Sequence, residues 1–279
     1  MGAGSLASFL VPALSAAGYT ISEIILRRQA RAASIRRARR LARKVGAKVV
    51  TIEKATLQTS LLWFCVPDRE IGSAAAVVAS RLLPSSEKRY AFHSSGALLS
   101  DELSPLRKAG WATAAVHPLM TFVDGKPPSL DEVPFALEGD PAAARLAQRI
   151  VRDLGGDSFR LSASRKAAYH AWATMTSPLL VAYLVALEQA ARQAGLSAAA
   201  ARRMSAPIIR QTISNYGKRG PARSFSGPLI RGDVSTVVKH LKLLKKNPAT
   251  RDVYVSLARI ALIYLPSANR AALRMLLKD

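Results

Sequence analysis

Apolar positions along this chain follow two rhythms. Up to about residue 163, short apolar runs alternate with stretches of helical period, and beyond Ser164 the period is helical throughout. The first helical stretch runs from Ser5 to Ala17, with Leu6, Phe9, Leu10, Ala13 and Leu14 on one face and Gly18 as its stop. Pro12 inside it predicts a kink, not a break. Ile21 to Leu26 reads as a strand, Ala30 to Val45 as a helix, Val49 to Ile52 as a strand, and Leu61 to Val66 as a strand closed by Pro67-Asp68. A helix over Ala74 to Leu83 follows. Strands Tyr90 to His93 and Ala112 to Val116 each deliver a histidine to a loop, His93 ahead of Ser94-Ser95-Gly96 and His117 ahead of Pro118. A strand between Pro134 and Gly139, a helix opened and capped by Asp140-Pro141, and a strand over Phe159 to Leu161 complete this half.

Strands alternating with helices predict an α/β fold, a Rossmann-like parallel sheet over residues 1–163, followed by an all-α domain over 164–279. The helical part opens with a long helix, Arg165 to Gln193, apolar on most sides and expected to be buried between domains or subunits. Pro178 should kink it just after Ser177. Further helices are expected from Ala198 to about Tyr216, then after a flexible basic loop from Val234 to Lys246 with Asp233 as cap, from Arg251 to Tyr264, and from Ala268 to Leu277.

Glycines at the start add a ligand class. Gly2, Gly4 and Ala7 fit the G-x-G-x-x-G/A turn, in which small residues let backbone N–H groups approach a dinucleotide pyrophosphate at a helix N-terminus. Gly2, Ala3, Gly4, Ser5 and Leu6 are therefore cofactor candidates. The buried strand that should precede such a turn is represented by Met1 alone, so the first strand looks truncated. Residues encoded upstream are expected to restore an apolar strand of about five or six residues.

Charge refines the ligand. The 279 residues carry 41 Lys and Arg against 18 Asp and Glu, a net of +23, which suits phosphate-rich ligands, nucleic acid or anionic surfaces. Arg27 and Arg28 close the strand where a Rossmann unit places its ribose-recognition residue, and no carboxylate follows Glu23 until Glu53. A 2′-phosphate would meet guanidinium groups there, which favours NADP(H) over NAD. The single cysteine, Cys65, sits in an apolar run, excludes an intramolecular disulfide and suits a reducing, cytoplasmic setting. Leu6 to Ala17 is too short for a bilayer and lacks a basic flank; no later run is expected to qualify, so no membrane partner is expected.

Lys166, His170, Thr174 and Ser177 lie at steps of four, four and three, forming one polar line on an apolar helix, and burying such groups without partners is costly. His170 and Lys166 are the candidate catalytic pair, imidazole being the group that titrates in the useful range. No H-x-x-x-H, H-E-x-x-H or paired cysteines occur, so no metal is expected, and no nucleophile elbow points to hydrolysis.

Six blocks then occur in order: Gly2-Ala3-Gly4, Val66-Pro67-Asp68, His93-Ser94-Ser95-Gly96, His117-Pro118-Leu119-Met120-Thr121-Phe122, Tyr169-His170-Ala171 and Gly227-Pro228-Leu229-Ile230-Arg231-Gly232-Asp233. On these the chain resembles, over nearly its whole length, the Rossmann-like proteins with a helical C-terminal domain of unknown function, distant relatives of pyrroline-5-carboxylate reductase and 6-phosphogluconate dehydrogenase. The resemblance implies an NADP-type site, an oxidoreductase-like architecture and homodimerisation through the helical domain, but no particular reaction. The dehydrogenase relatives carry a Lys-x-x-x-Asn pair on the equivalent helix, which Lys166-x-x-x-His170 matches in spacing and not in chemistry. Pro178 stands where asparagine is frequent in the family.

The leading expectation is an NADP(H)-dependent reductase or dehydrogenase for a small anionic carbonyl, imine or hydroxyacid. His93, Ser94, Ser95, Gly96, His117, Ser177 and Arg231 would contact the substrate; Arg27, Arg28, Val66, Pro67 and Asp68 would join the glycine turn around the cofactor. The alternatives are a non-catalytic NADP-binding sensor or interaction protein and, ranked last for want of a binding motif or stacking aromatics, a basic nucleic-acid-binding protein.

Overall fold

Residues 1–83, 86–123 and 129–278 are described by the computed structural model. The first of two units spans Met1–Thr174. Its elements are α1 (Ser5–Ala16), β1 (Glu23–Leu26), α2 (Ala32–Val45), β2 (Lys48–Thr51), β3 (Leu61–Phe64), α3 (Ile71–Ala79), β4 (Tyr90–His93), α4 (Ser104–Lys108), β5 (Ala112–Pro118), β6 (Pro134–Gly139), α5 (Pro141–Asp153), β7 (Asp157–Arg160) and α6 (Lys166–Thr176). Pro12 leaves α1 continuous, and Gly18, at φ +88°, follows its end.

The strands form two ladders. β1 pairs with β2 in parallel, and β3 to β7 lie side by side in chain order. β3, β4 and β5 are parallel, whereas β6 runs antiparallel to β5 and then parallel to β7. The one antiparallel pair has a reason of connectivity: parallel neighbours need a crossover, and no helix lies between β5 and β6 among the described residues. Met1 and Gly2 tie the ladders together, Cys65 N–H donating to the Met1 carbonyl at 2.7 Å and Gly2 N–H to the Ile25 carbonyl at 2.9 Å.

Alternation along the strands covers both faces of the larger sheet. Trp63, Phe92, Val116 and Phe135 pack under α1 and α5 through Leu10, Leu14, Ala147 and Ile150. Leu62, Phe64 and Ala91 face the other way, onto Ile71, Ala75 and Val78 of α3 and Leu106 of α4. α2 closes the small ladder through Ala38, Leu41 and Ala42 against Ile24, Leu26 and Ala7. This is a Rossmann-like α/β unit, with helices on both sides of a mostly parallel sheet.

The second unit spans Met175–Asp279. It contains α7 (Pro178–Gln193), α8 (Ala198–Ser224, interrupted at Gly220), α9 (Pro228–Arg231), α10 (Val234–Leu244), α11 (Pro248–Tyr264) and α12 (Arg270–Leu276). Val237, Leu241, Val255, Leu262 and Leu273 form its core. The division between the units falls inside α6, beyond the expected boundary near Ala163, because Lys166 and Tyr169 on the first turns of α6 are buried in the α/β unit.

Several local expectations are corrected. The long helix is two helices, α6 and α7, separated at Ser177, which precedes the proline and whose φ of −124° lies outside the helical range. α7 has no buried residue within the chain. The segment read as a flexible basic loop continues α8 as far as Gly220. Taken together, Ala163–Gln193 is long and apolar enough to cross a membrane by length and composition, contrary to the expectation that no later run would qualify. Asp140 and Asp233 occupy N-cap positions but make no side-chain cap bond; Asp140 instead accepts from Thr113 N–H at 2.7 Å, and Asp233 accepts from Arg231.

Candidate functional site

The turn at Gly2–Gly4 opens onto a cavity of about 500 Å³ in the first unit. Gly2, Ala3 and Gly4 line it with Arg27, Val66 and Pro67, all cofactor candidates from the sequence. Ser5, Leu6, Arg28 and Asp68 are not among its lining residues, while Arg31, Ser34, Arg69 and Glu70 are. The two glycines differ in their reason. Gly2 has φ +91°, and a Cβ there would run into the Cys65 carbonyl, so it serves the turn against the end of β3. A Cβ on Gly4 would meet only Cys65 O at 3.8 Å, and Gly4 caps α1 with no side chain over the helix end. The first N–H groups of α1 are thus left for a ligand. Arg27 Nη1 lies 3.3 Å from Oε1 of Glu70. Burial pushes the Cys65 thiol up, consistent with an inert thiol.

The second cluster sits where β3, β4 and β5 end. Asp68, in the short turn after β3, accepts from Ser95 Oγ at 2.6 Å, and Ser95 Oγ accepts from the N–H groups of Ala97 and Leu98 at 3.2 and 2.9 Å. Ser94 Oγ accepts from Trp63 Nε1 at 2.8 Å. His93 is 0% exposed; its Nδ1 accepts from Ser95 N–H at 3.1 Å and its Nε2–H donates to the Leu99 carbonyl at 2.9 Å. Both ring nitrogens are spent on the loop, so His93 shapes the site and offers no free nitrogen to a substrate. Burial, with Lys166 adding to it, pushes its pKa down to about 4.

Lys166 is 2% exposed, and its Nζ has no hydrogen-bond partner among the described residues. Burial lowers its pKa, against the attraction of the Glu138 and Asp68 carboxylates. Glu138 is itself engaged by Ser100, whose N–H donates at 2.7 Å and whose hydroxyl donates at 3.0 Å. Gly96 lies between two imidazoles: a Cβ there would stand 2.8 Å from His117 Nε2 and 2.9 Å from His170 Cδ2. The first unit therefore brings together Asp68, Ser95, Gly96, His117, Lys166 and His170. Tyr169, bonded to His117, is a member of the cluster that the polar-line reasoning passed over. Ser177 and Arg231 belong to the second unit, and the Arg231 guanidinium is held by Asp233 at 2.9 and 2.8 Å.

Residues 133–261 match the profile of a domain of unknown function, DUF2520. Lys166, Tyr169, His170 and Arg231 lie inside that domain, whereas the glycine turn, Asp68 and Ser94-Ser95-Gly96 precede it. No curated protein matches the chain. Among solved structures, the proposed NADP oxidoreductase BF3122 from Bacteroides fragilis is similar at TM-score 0.72 and 20% identity, over 92% of this chain and 94% of that one. Protein TM1727 from Thermotoga maritima is similar at TM-score 0.71 and 24% identity, over 93% and 94%. A reductive aminase from Aspergillus terreus, in complex with NADPH and ethyl-5-oxohexanoate, is similar at TM-score 0.65 and 14% identity, over 99% and 97%. At these identities the likeness establishes that the chain shares their fold.

Proposed function

We propose that the protein is an NADP(H)-dependent oxidoreductase acting on a small anionic carbonyl, imine or hydroxyacid. The observation that carries this reading is the cavity that joins the uncapped end of α1 at Gly4 to Arg27, Arg31 and Ser34. A pyrophosphate fits the first and a 2′-phosphate the second. The Aspergillus terreus relative, a structure with NADPH, supports the same cofactor, and the oxidoreductases among the similar structures support the reaction class.

When bound, NADP(H) supplies or accepts a hydride. The chain's own residues do the rest. The Gly2–Gly4 turn and Val66-Pro67 seat the cofactor, with Arg27, Arg31 and Ser34 around its ribose phosphate. Lys166, a buried amine without a hydrogen-bond partner among the described residues, suits an anionic or developing negative group on the substrate, and His170 is the group for moving a proton. The protein's one cysteine and the NADP(H) reading together favour the cytoplasm.

A fluorescence titration with NADPH beside NADH at physiological salt tests the reading. Micromolar binding with a preference for NADPH is expected; binding of neither overturns it. His170→Ala is expected to abolish turnover while leaving cofactor affinity near wild type.

The same reading extends to a homodimer built through the second unit. α7 exposes Leu179, Leu180 and Val181, α8 exposes Met204 and Ile208, and an apolar groove of about 690 Å³ lies along these helices. Light scattering behind size exclusion is expected to give twice the chain mass; a monomer at micromolar concentration removes this assembly.

A further inference from the structure

His117 and Tyr169 form a pair whose geometry decides a proton position. The Tyr169 hydroxyl lies 2.6 Å from Nδ1 of His117, with the rings edge-on at 5.6 Å between centroids. Phe159 and Trp172 flank the phenol ring at 5.9 and 6.0 Å, and Tyr169 is 7% exposed. A buried phenol hydrogen needs an acceptor, and among the described residues His117 Nδ1 is the one this hydroxyl meets. A proton on Nδ1 would leave the phenol hydrogen with none. Nδ1 therefore accepts, and the ring proton sits on Nε2. That nitrogen faces Gly96, where the missing side chain keeps the approach open, since a Cβ would stand 2.8 Å away.

We propose that Tyr169 is a positioning residue that holds His117 as its Nε2–H tautomer, so that a neutral imidazole donates a hydrogen bond, beside Gly96, to the carbonyl oxygen or imine nitrogen of the substrate. The substrate named here rests on the oxidoreductase reading; the tautomer does not. The groups around His117 favour neutrality. Burial is the largest influence, Lys166, His170 and His93 add like charge, Asp68 alone opposes them, and the His117 pKa is pushed down to about 4. Burial also pushes Tyr169 up to about 12, so the phenol keeps its proton. A neutral imidazole polarises an acceptor without surrendering its proton, which leaves proton delivery to His170.

The test uses the full chain with 15N-labelled histidine, where multiple-bond 1H–15N couplings separate the two tautomers. His117 is expected to be protonated on Nε2 and unprotonated on Nδ1 from pH 6 to 8. Tyr169→Phe keeps the ring contacts and removes the hydroxyl; it is expected to give mixed tautomers and to lower kcat roughly tenfold with KM near wild type, about the worth of one hydrogen bond in the transition state. A wild-type Nδ1–H tautomer, or an unchanged tautomer in Tyr169→Phe, overturns the proposal. Should the variant fail to fold, the wild-type tautomer decides alone. NADPH titration of the same samples separates the two readings: absent cofactor binding with the tautomer result intact removes the oxidoreductase and keeps the Tyr169–His117 device.

Discussion

The guanidinium of Arg27 and the carboxylate of Glu70 face each other at 3.3 Å on the wall of the glycine-turn cavity. A cation suited to a 2′-phosphate is thus already shared with an acid contributed after β3. The Arg27 side chain is 55% exposed, so the pair is worth little, on the order of 1 kcal/mol or less. Glu70→Gln is expected to tighten NADPH binding by roughly fivefold or less and to leave NADH nearly unchanged, whereas Arg27→Ala should erase the preference. Parallel fluorescence titrations of both cofactors check this; equal gains for NADPH and NADH would show that Glu70 does not face the phosphate.

The two turn glycines should separate stability from binding. Gly2→Ala forces a side chain onto φ +91° against the Cys65 carbonyl and is expected to cost about 1–3 kcal/mol from backbone strain alone. Gly4→Ala has room in the folded chain and should cost at most about 1 kcal/mol, yet lower NADPH affinity by roughly tenfold or more. Urea melts and titrations of the two variants decide it.

Lys166→Met should stabilise the protein and impair it. Removing a buried amine that has no hydrogen-bond partner among the described residues is expected to add about 1–3 kcal/mol while turnover falls. The Lys166 pKa lies below 10.5, so the unfolded chain holds more protons between the lowered value and 10.5. Wild-type stability should rise with pH across that window, and the variant should lose this component. Urea midpoints of both proteins at pH 7 and pH 9.5 read the difference.

Acid should destabilise the α/β unit through its buried imidazoles. His93 and His117 both fall from 6.5 to about 4. For bases with depressed values the stability is fully present above pH 6.5 and is lost as pH falls from 6.5 towards 4. His93, at 0% exposure, contributes roughly 3 kcal/mol to that loss. Histidine NMR titration should show both rings neutral at pH 5.5; an imidazolium at either position at that pH would refute the assignment.

Ser95→Ala removes the acceptor for two backbone N–H groups and the donor to Asp68. A loss of about 1–3 kcal/mol is expected. Hydrogen exchange should quicken at Ala97 and Leu98 before β4 responds; uniform change across the unit would mean that Ser95 does not anchor this loop alone.

The sequence by itself determined what depends on neighbours along the chain. Period-two and helical-period runs located β3, β4, β5 and α1, the glycine turn announced Gly2 and Gly4 at a helix start, and the polar line found Lys166 and His170. The proline after Ser177 marked the break between α6 and α7. These are local effects of backbone geometry, written in spacings of two to four residues.

Only the tertiary structure decided which distant groups meet. Arg27 and Glu70 are separated by 43 positions, His117 and Tyr169 by 52, and no periodicity links such pairs. Tyr169 stood in the Tyr169-His170-Ala171 block without a role until its hydroxyl met His117, and His93 read as a site histidine until Ser95 and Leu99 took both its nitrogens. The turn of β6 against β5 likewise followed from a connection without a crossover helix among the described residues. Burial and hydrogen-bond pairing belong to the folded chain as a whole, and they assigned Lys166 its burial and His117 its proton.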